Sequence, residues 1–342
     1  MKKLSFILLL LLIQASALWA QAQNVNLEHE VYGFIKEMKV KKIISRIHDD
    51  TPNMSYSEVK NLLTEIEKKA DELSLTEKEL LAKYKNEFFL DEYNEENTAP
   101  LFNSSNSFWE NAGEFTSGKN KFIYYFMNDY VNFFVNGIAH FTHGQSFSSP
   151  ANNAELYDLG IRAHGTLLDN IGFSFSIAKG GVNGSRGLAS VVDPRLNFNF
   201  KFVENIENIS NYDFAEGYIR YQIAPVDDMN LAVQLGREKI KFGYGYSNSL
   251  AISGEGPTMD FLRFDFRYGV LSFSSIHAST VGEFSHIMQD RYTKYIASNK
   301  IKVSLPDLFE FGIGESIVYS GRGLEWAYLN PMLFYKYAEM SL

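Results

Sequence analysis

The chain contains no cysteine among its 342 residues. It can therefore form no disulfide, offer no thiol nucleophile, bind no metal through sulfur and carry no lipid on an N-terminal cysteine. Beyond its first residues it also lacks any apolar run of about 18 residues, so the sequence predicts no transmembrane helix. A formal net charge of −9 argues against nucleic acid or anionic lipid as the main partner. If the protein lies in a membrane, it must do so through strands.

The first 22 residues have the pattern of a secretory signal peptide. Met1-Lys2-Lys3 is a short basic start, and residues 4–13 form an apolar run that is too short to span a bilayer as a helix. Ala20-Gln21-Ala22 fits the small-x-small cleavage pattern, and Ala15-Ser16-Ala17 is the alternative. We therefore predict a cleaved signal peptide at 1–22 and export of the remaining chain.

Residues 23–98 are predicted to form a small helical segment. Apolar residues recur at helical spacing, first in the stretch that contains Phe34 and Ile35. Ser55-Tyr56-Ser57-Glu58 and Thr76-Glu77-Lys78-Glu79 have the pattern of capping boxes that open two further helices, and Pro52 separates the first helix from the second. A bundle of this size is marginal alone, so we expect its apolar stripes to pack together or against the rest of the chain.

From residue 99 onward, apolar and polar residues alternate with a period of two, which indicates β-strands with one face of each kind. The apolar positions are rich in Phe and Tyr, of which the chain has 28 and 20. The predicted strands are 121–127, 130–141, 156–167, 171–179, 196–203, 212–223, 230–236, 259–268, 270–278, 294–304 and 308–320, with a twelfth at 331–338.

The connections between these strands alternate in length. Tight turns are predicted at 128–129, 168–170, 269 and 306–307, and long connections at 142–155, 179–195, 237–258 and 279–293. This asymmetry is typical of bacterial outer-membrane barrels, which have short turns on one side and long loops on the other. The alternation fails at 204–211 and 224–229, two consecutive short connections, which indicates a strand missed or wrongly assigned nearby.

The predicted fold class is mainly β. We expect an antiparallel transmembrane β-barrel at 99–342, preceded by the small periplasmic α-helical bundle at 23–98. A barrel turns its apolar face to lipid and keeps its polar face in the lumen. The alternative is a soluble sandwich, which would bury the apolar face against a second sheet.

Two stretches of the chain resemble the Wzi family of capsule assembly proteins. In the first, a strand ends in Gly236-Arg237, Gly243-Tyr244-Gly245 follows, and Pro257 precedes a strand with Asp260-Phe261-Leu262-Arg263. In the second, a strand ends in Gly321-Arg322 and Tyr328-Leu329-Asn330-Pro331 follows. An exported helical segment ahead of a barrel also matches the layout of that family.

The resemblance implies an outer-membrane β-barrel of a Gram-negative bacterium that holds capsular polysaccharide at the cell surface. Such a protein is lectin-like and is not an enzyme, and it needs no cofactor. Its expected partners are capsular or other surface polysaccharide, outer-membrane lipid and periplasmic export machinery, without nucleic acid. Because the family barrel is larger than the strands predicted here can form, we expect the barrel to be incomplete, with a C-terminal truncation. A complete smaller barrel is the alternative, since even strand numbers from eight upward can close.

Candidate ligand-binding residues lie in the predicted long connections and in the two family-like stretches. Aromatic faces can lie against sugar rings, and Arg binds carboxylates with two parallel hydrogen bonds. The candidates are Arg186, Arg237, Tyr244, Tyr246, Asn248, Tyr292, Arg322 and Trp326. Arg237 and Arg322 could line or plug the lumen, or close a turn. Strand parity further places Arg263, Asp265 and Arg267 together on the lumen side, and Glu216 with Arg220, either as lumen-lining groups or as a salt-bridge ladder.

Three alternatives to polysaccharide attachment stay open. A passive outer-membrane porin or channel would use the same polar lumen, and inward folding of a loop such as 237–258 would argue against it. An outer-membrane lipase is less favoured, since Ser274, Ser275 and His277 lie close together but no Gly-x-Ser-x-Gly elbow is present. His140 and His143 should point to opposite faces of one strand, so no metal site is predicted. In the third alternative, the helical segment has a purely structural role and recruits a periplasmic partner.

Overall fold

The structure is a computed structural model. It describes residues 21–48, 50–89, 98–100, 107, 109–110, 113, 119–148, 152–197, 206–226, 228–243, 245, 249–281, 292–305, 308–330 and 334–340. Of the predicted signal peptide, only Gln21 and Ala22 fall within these ranges, and the rest lies outside the described residues.

Three helices form the N-terminal segment, in agreement with the sequence. They are α1 (Val31–Val40), α2 (Tyr56–Glu67) and α3 (Leu75–Phe88), with a 3-10 turn at Ala70–Glu72. Their apolar stripes pack into one core, in which Ile35, Leu63 and Phe88 are fully buried. No helix in the described part of the chain is long and apolar enough to cross a membrane.

The two capping boxes differ in how well the sequence predicts them. At the start of α2, Ser55 Oγ accepts a hydrogen bond from Glu58 N at 3.3 Å, and the Glu58 carboxylate accepts one from Ser55 N at 2.8 Å. In α3 the same pair of bonds joins Ser74 and Glu77, so the prediction of Thr76 as the cap is wrong. A cap residue needs an extended backbone, which Ser74 has, whereas Thr76 already lies inside the helix.

Ten strands form one antiparallel sheet. They are β3 (Tyr124–Asn128), β4 (Val131–Ser146), β5 (Asn152–Leu167), β6 (Ile171–Gly184), β7 (Asn211–Ile223), β8 (Met229–Glu238), β11 (Met259–Tyr268), β12 (Leu271–Val281), β13 (Thr293–Leu305) and β14 (Phe309–Ser320). Their order is β14-β13-β12-β11-β8-β7-β6-β5-β4-β3. Two short pairs lie outside this sheet: parallel β1 (Thr98–Pro100) with β2 (Asn120–Phe122), and antiparallel β9 (Lys241–Phe242) with β10 (Ile252–Ser253).

The large antiparallel sheet that the sequence predicts is thus confirmed, while its closure into a barrel stays a prediction. Strands β3 and β14 are the two edges, and they do not pair with each other among the described residues. The predicted strand 121–127 is divided between β2 and β3, and β4, β5 and β6 extend several residues beyond their predicted ends.

Two predicted strands are wrong where the structure describes them. Of 196–203, Leu196 and Asn197 are helical and follow a turn at Asp193-Pro194, and residues 198–203 lie outside the described ranges. Leu196 is fully buried in a cluster with α4 (Arg186–Val192), so tertiary packing overrides the alternating pattern. Of 331–338, residues 335–338 belong to α5 (Tyr335–Glu339).

Without a strand at 196–203, the break in the alternation at 204–211 disappears. Strands β6 and β7 pair directly, so residues 185–210 form one long connection between them. All the short turns lie at one end of the sheet, and the long connections 185–210, 239–258 and 282–292 lie at the other. The connection between β4 and β5 is an exception, because β4 ends at Ser146 and β5 begins at Asn152, so the prediction of a long connection at 142–155 is wrong.

The strand register gives the sheet two faces of opposite character. The inner face is defined by polar and charged side chains that are buried or half-buried: Arg162, Ser176, Glu216, Arg220, Arg263, Asp265, Arg267, Lys300 and Lys302. The outer face is defined by exposed apolar side chains: Ile161, Phe175, Ile219, Leu235, Leu262 and Ile313. This arrangement is inverted relative to a sheet that folds in water, where the apolar face is the buried one.

Residues 322–330 and 334–340 cover part of the outer face above β12–β14. Tyr328, Tyr335 and Ala338 pack against Ala297 and Tyr319 in an aromatic cluster. The helical spacing of Tyr335 and Ala338 puts both side chains on the buried side of α5, which explains why this stretch is a helix rather than a twelfth strand.

Candidate functional site

A buried ionic cluster ties the N-terminal segment to β13 near the short turns. The Asp50 carboxylate pairs with Lys300 and Lys302, and the distance from Lys302 Nζ to Asp50 Oδ1 is 2.6 Å. Burial alone would raise the pKa of the Asp50 carboxyl, but Lys302 and Lys300 hold it below its usual value. Asp50 is therefore ionised at neutral pH, and the contact is a true ion pair.

His48 lies beside this cluster, and burial together with nearby positive charges keeps its imidazole neutral. Burial lowers the pKa of the His48 imidazole well below its usual value, and the positive charges of Arg267 and Lys302 lower it further against the opposing effect of Asp50. The Nδ1 atom of His48 is buried and has no hydrogen-bond partner among the described residues. Protonation of this ring would add a buried positive charge beside Arg267 and Lys302, which Asp50 offsets only in part.

A second contact joins α2 to strands β7 and β11. Glu58 forms an ion pair with Arg267, and its carboxylate lies 3.7 Å from the guanidinium of Arg220. Arg220 is fully buried and also donates to the Asn53 carbonyl oxygen at 3.2 Å. Glu58, the acidic member of the capping box of α2, therefore also anchors the helix on the sheet.

Asp265 is the centre of a third contact. It accepts hydrogen bonds from Arg263 Nε at 2.7 Å, from Ser274 Oγ at 2.7 Å and from Asn53 Nδ2 at 3.1 Å. The prediction that Arg263, Asp265 and Arg267 share one face is confirmed. They do not form a ladder within the sheet alone, because Asp265 also binds Asn53 and the partner of Arg267 is Glu58 on α2.

Beyond these contacts, toward the long connections, the inner face encloses a cavity of about 820 Å³. The sheet side of the cavity is polar and carries Asn136, Arg162, Ser174, Ser176, Glu216 and Glu238. Its other walls come from the N-terminal segment, including Tyr56, and from the long connections, including Arg195 and Lys239. The volume lies within the range of about 300–1,000 Å³ that is usual for ligand sites.

A transverse row of polar residues crosses the floor of this cavity. Asn136 pairs with Arg162, Arg162 with Ser176, and Ser176 with Glu216 on successive strands. On the next strand, Arg237 pairs with Gly217, which places its neighbour Glu238 opposite Glu216. Glu238 therefore extends the row by one strand. Since neighbouring strands lie about 4.8 Å apart, Arg162 and Glu216 are roughly 10 Å apart at their backbones.

Most charged groups of the cavity are already paired. Arg195 binds Asp193 with two nitrogens, Lys239 pairs with Glu28, and the Glu238 carboxylate accepts a hydrogen bond from Gln234. Arg162 and Glu216 differ. Within the part of the chain that the structure describes, the Arg162 side chain makes no hydrogen bond or close ion pair, although its charge acts on the Glu216 and Glu238 carboxylates. Glu216 Oε1 is buried without a hydrogen-bond partner there.

Two of the arginines predicted to bind ligand make internal contacts outside the cavity. Arg186 begins α4 and donates from Nε to the Ile209 carbonyl oxygen at 2.7 Å, so it holds the connection between β6 and β7 together. Arg237 forms a bidentate pair with Asp260 at 2.7 and 2.8 Å. The register puts Arg237 on the outer face beside Leu235, so the expectation that it lines or plugs the lumen is wrong.

The other predicted residues also lie away from the cavity or outside the described ranges. Arg322 donates to Glu339 at 2.7 Å and to the Tyr328 hydroxyl at 3.0 Å, in the segment that covers the outer face. Trp326 is exposed in that segment, and Tyr292 is exposed just before β13. Tyr244, Tyr246 and Asn248 lie outside the described residues.

The residues considered for a lipase or a metal site are divided between the two faces of the sheet. Ser274 faces inward and donates to Asp265, whereas Ser275 and His277 face outward, and His277 bonds the Tyr319 hydroxyl at 2.9 Å. His140 and His143 lie on opposite faces of β4, as predicted, and their carboxylate neighbours are Asp158 and Glu155 respectively.

Comparison with models of protein families, with curated proteins and with solved structures finds no match to this chain. The resemblance to the Wzi family therefore stays a prediction, and the functional argument rests on the geometry described above.

Sequence reasoning placed Glu216 on the inner face but missed Arg162 as a site residue. The signal is present in β5, where Asp158, Gly160, Arg162 and His164 alternate with Leu159 and Ile161. What the sequence does not reveal is the register, which brings Arg162 and Glu216 into one row across three strands.

Proposed function

We propose that the chain forms the wall of an outer-membrane β-barrel that attaches surface polysaccharide without covalent chemistry. The observation that carries the membrane part is the inverted sheet, with an exposed apolar outer face and a polar inner face that is covered by the helical segment. Exposing so large an apolar face to water would cost free energy, whereas contact of the same face with lipid is favourable.

The dimensions of the sheet support the same proposal. Strands β8 and β11 have ten residues each, close to the 9–11 residues that a tilted membrane strand needs. On the outer face, the ion pairs Arg237–Asp260 and Lys179–Asp213 lie toward the long connections, where a barrel would leave the lipid. The tight turns at one end of the sheet and the long connections 185–210, 239–258 and 282–292 at the other fit the two ends of an outer-membrane barrel.

Polysaccharide attachment is supported by the resemblance to the Wzi family and by the polar cavity on the inner face. Hydroxyl, amide and charged groups line this cavity, as carbohydrate recognition requires, and the helical segment blocks the inner face on the side of the short turns. The helical segment would then be the periplasmic end, and the long connections would meet the polymer outside the cell. The partners in this proposal are surface polysaccharide and outer-membrane lipid.

A passive channel is the second candidate, favoured by the same polar inner face. Conductance of the full chain in a planar bilayer, measured with and without purified surface polysaccharide from the same cells, distinguishes the two. Large, steady conductance that the polymer does not change would contradict attachment and favour a channel. We expect a nearly silent protein, together with loss of cell-bound polysaccharide in a deletion strain and its recovery on re-expression.

A further inference from the structure

The unpaired groups of the inner cavity carry information about its ligand. The Arg162 side chain is half-buried and makes no hydrogen bond or close ion pair among the described residues; the Glu216 and Glu238 carboxylates feel its charge from farther away. A guanidinium loses hydration on burial and needs acceptors in its plane, and a carboxylate accepts two parallel hydrogen bonds from it. A guanidinium with free donors in a cavity of ligand size therefore favours an anionic group in that place.

Neighbouring side chains favour a polyhydroxylated ligand around that anionic group. Ser174 and Ser176 make no hydrogen bond through their hydroxyls within the described ranges, and each can both donate and accept. Glu216 Oε1, two strands from Arg162, is buried and lacks a donor. A second anionic group near Glu216 would be repelled, whereas a hydroxyl would donate to it.

The cavity also has an aromatic wall. The Tyr56 ring of α2 lies 6.3 Å from the His164 ring of β5, and both side chains border the cavity. Sugar rings have apolar faces as well as hydroxyls, so a wall of rings opposite a row of polar groups suits them.

We propose that this cavity binds a short acidic segment of the polysaccharide, with the sugar carboxylate on Arg162 and sugar hydroxyls on Glu216 and the two serines. The inference rests on the proposed function and deepens it, because it places the recognition site on the inner face rather than on Arg186, Arg237 and Arg322. The long connections would then guide the polymer toward the cavity, whose borders include Lys239 and Glu255.

The test measures binding of oligosaccharides to the full chain in detergent micelles by calorimetry. The probes are oligosaccharides cut from the surface polysaccharide of the same cells, one portion native and one portion with its carboxyl groups chemically reduced to alcohols. For Arg162→Gln we expect at least about tenfold weaker binding of the native probe and little change with the reduced probe, because only the native probe has the charge that Arg162 binds. The matched control is Arg237→Gln, which makes the same chemical change on the outer face and should leave both affinities unchanged.

Glu216→Gln gives a second readout. It should weaken binding of both probes, since the hydroxyl contacts survive carboxyl reduction.

Protease resistance of the helical segment shows that each variant is folded. If folded Arg162→Gln binds the native probe as the wild type does, the cavity inference is wrong while polymer attachment stands. Equal binding of native and reduced probes by the wild type would also overturn it. If the wild type binds neither probe and the cells retain their polysaccharide without the chain, the proposed function itself fails.

Discussion

Lys302 Nζ lies 2.6 Å from Asp50 Oδ1, and both side chains are almost fully buried where the N-terminal segment meets β13. A second ammonium, that of Lys300, shares the same carboxylate. The Glu310 carboxylate lies 4.0 Å from Lys302 Nζ, so Lys302 has a second, more distant acidic neighbour. Because both lysines share Asp50, the contact depends on Asp50 more than on either lysine. The helical segment is therefore held on the sheet in part by charge.

Asp50→Ala should detach the helical segment from the sheet. It removes the carboxylate that both buried ammonium groups share, which costs about 3–5 kcal/mol in comparable sites. Lys302→Met should cost less, because Asp50 keeps Lys300. Limited proteolysis and denaturant titration of the folded protein measure both effects. Lys85→Ala, which breaks the exposed pair with Glu67, is the control and should cost no more than about 1 kcal/mol. Equal effects of Asp50→Ala and Lys85→Ala would contradict the anchoring role.

Acid should loosen the helical segment in two steps. The pKa of His48 is lower in the folded state than the usual value of about 6.5, so its contribution to stability is complete above that pH and is lost as the pH falls below it. The pKa of Asp50 is also lowered, so its contribution is present above about pH 4 and is lost on further acidification. Hydrogen exchange of α1–α3 against pH measures both steps. His48→Gln should remove the first step alone, and an unchanged first step in that variant would contradict the assignment.

Gly172→Ala should weaken docking of the same segment from the sheet side. A Cβ atom at Gly172 would lie 2.5 Å from the backbone nitrogen of Gln23, which is closer than van der Waals contact allows. We expect a loss of about 1–3 kcal/mol in unfolding free energy, since the backbone of the N-terminal segment must move away. Gly137→Ala is the control, because the nearest atom to its Cβ is Ile123 Cδ1 at 3.6 Å. A Gly172 variant as stable as the Gly137 variant would show that the segment does not pack this closely.

Ile219→Lys tests whether the outer face contacts lipid. Ile219 is 63% exposed and is flanked by Phe173 and Leu235 on the neighbouring strands. In a bilayer the lysine should lower the unfolding free energy by about 2–4 kcal/mol if it lies near the midplane. Urea titration of the protein in lipid vesicles measures this, with Asn211→Lys at the end of β7 as the control. If the two variants are equally stable in vesicles, the outer face does not face lipid.

The periodicity of the sequence was sufficient to predict most of the sheet. Aromatic and polar residues alternate along these segments. This alternation predicts strands because successive side chains of a strand point to opposite faces of the sheet. The same reasoning failed at Leu196, whose burial among residues from other elements overrides its local pattern. It failed again at Tyr335 and Ala338, where packing on β13 and β14 favours a helix.

The candidate site was harder to predict than the fold. Arginine next to glycine in the two family-like stretches predicts a ligand-binding role. In the structure, however, Arg237 forms an ion pair with Asp260, and Arg322 forms one with Glu339. Partners of this kind depend on register and on tertiary contacts, which a single sequence does not determine. Arg162 stands out only once the structure shows that its side chain makes no hydrogen bond or close ion pair among the described residues.

The contact between Asp50 and Lys302 joins positions 252 residues apart in the sequence. The carboxylate gains this partner only once β13 is in place, so a contact of an early part of the chain is among the last to form. The Asp50–Lys302 pair thus reports that assembly has passed β13. A chain stalled before that point would leave the Asp50 region open to proteases, and cleavage there would measure the unfinished fraction in a cell.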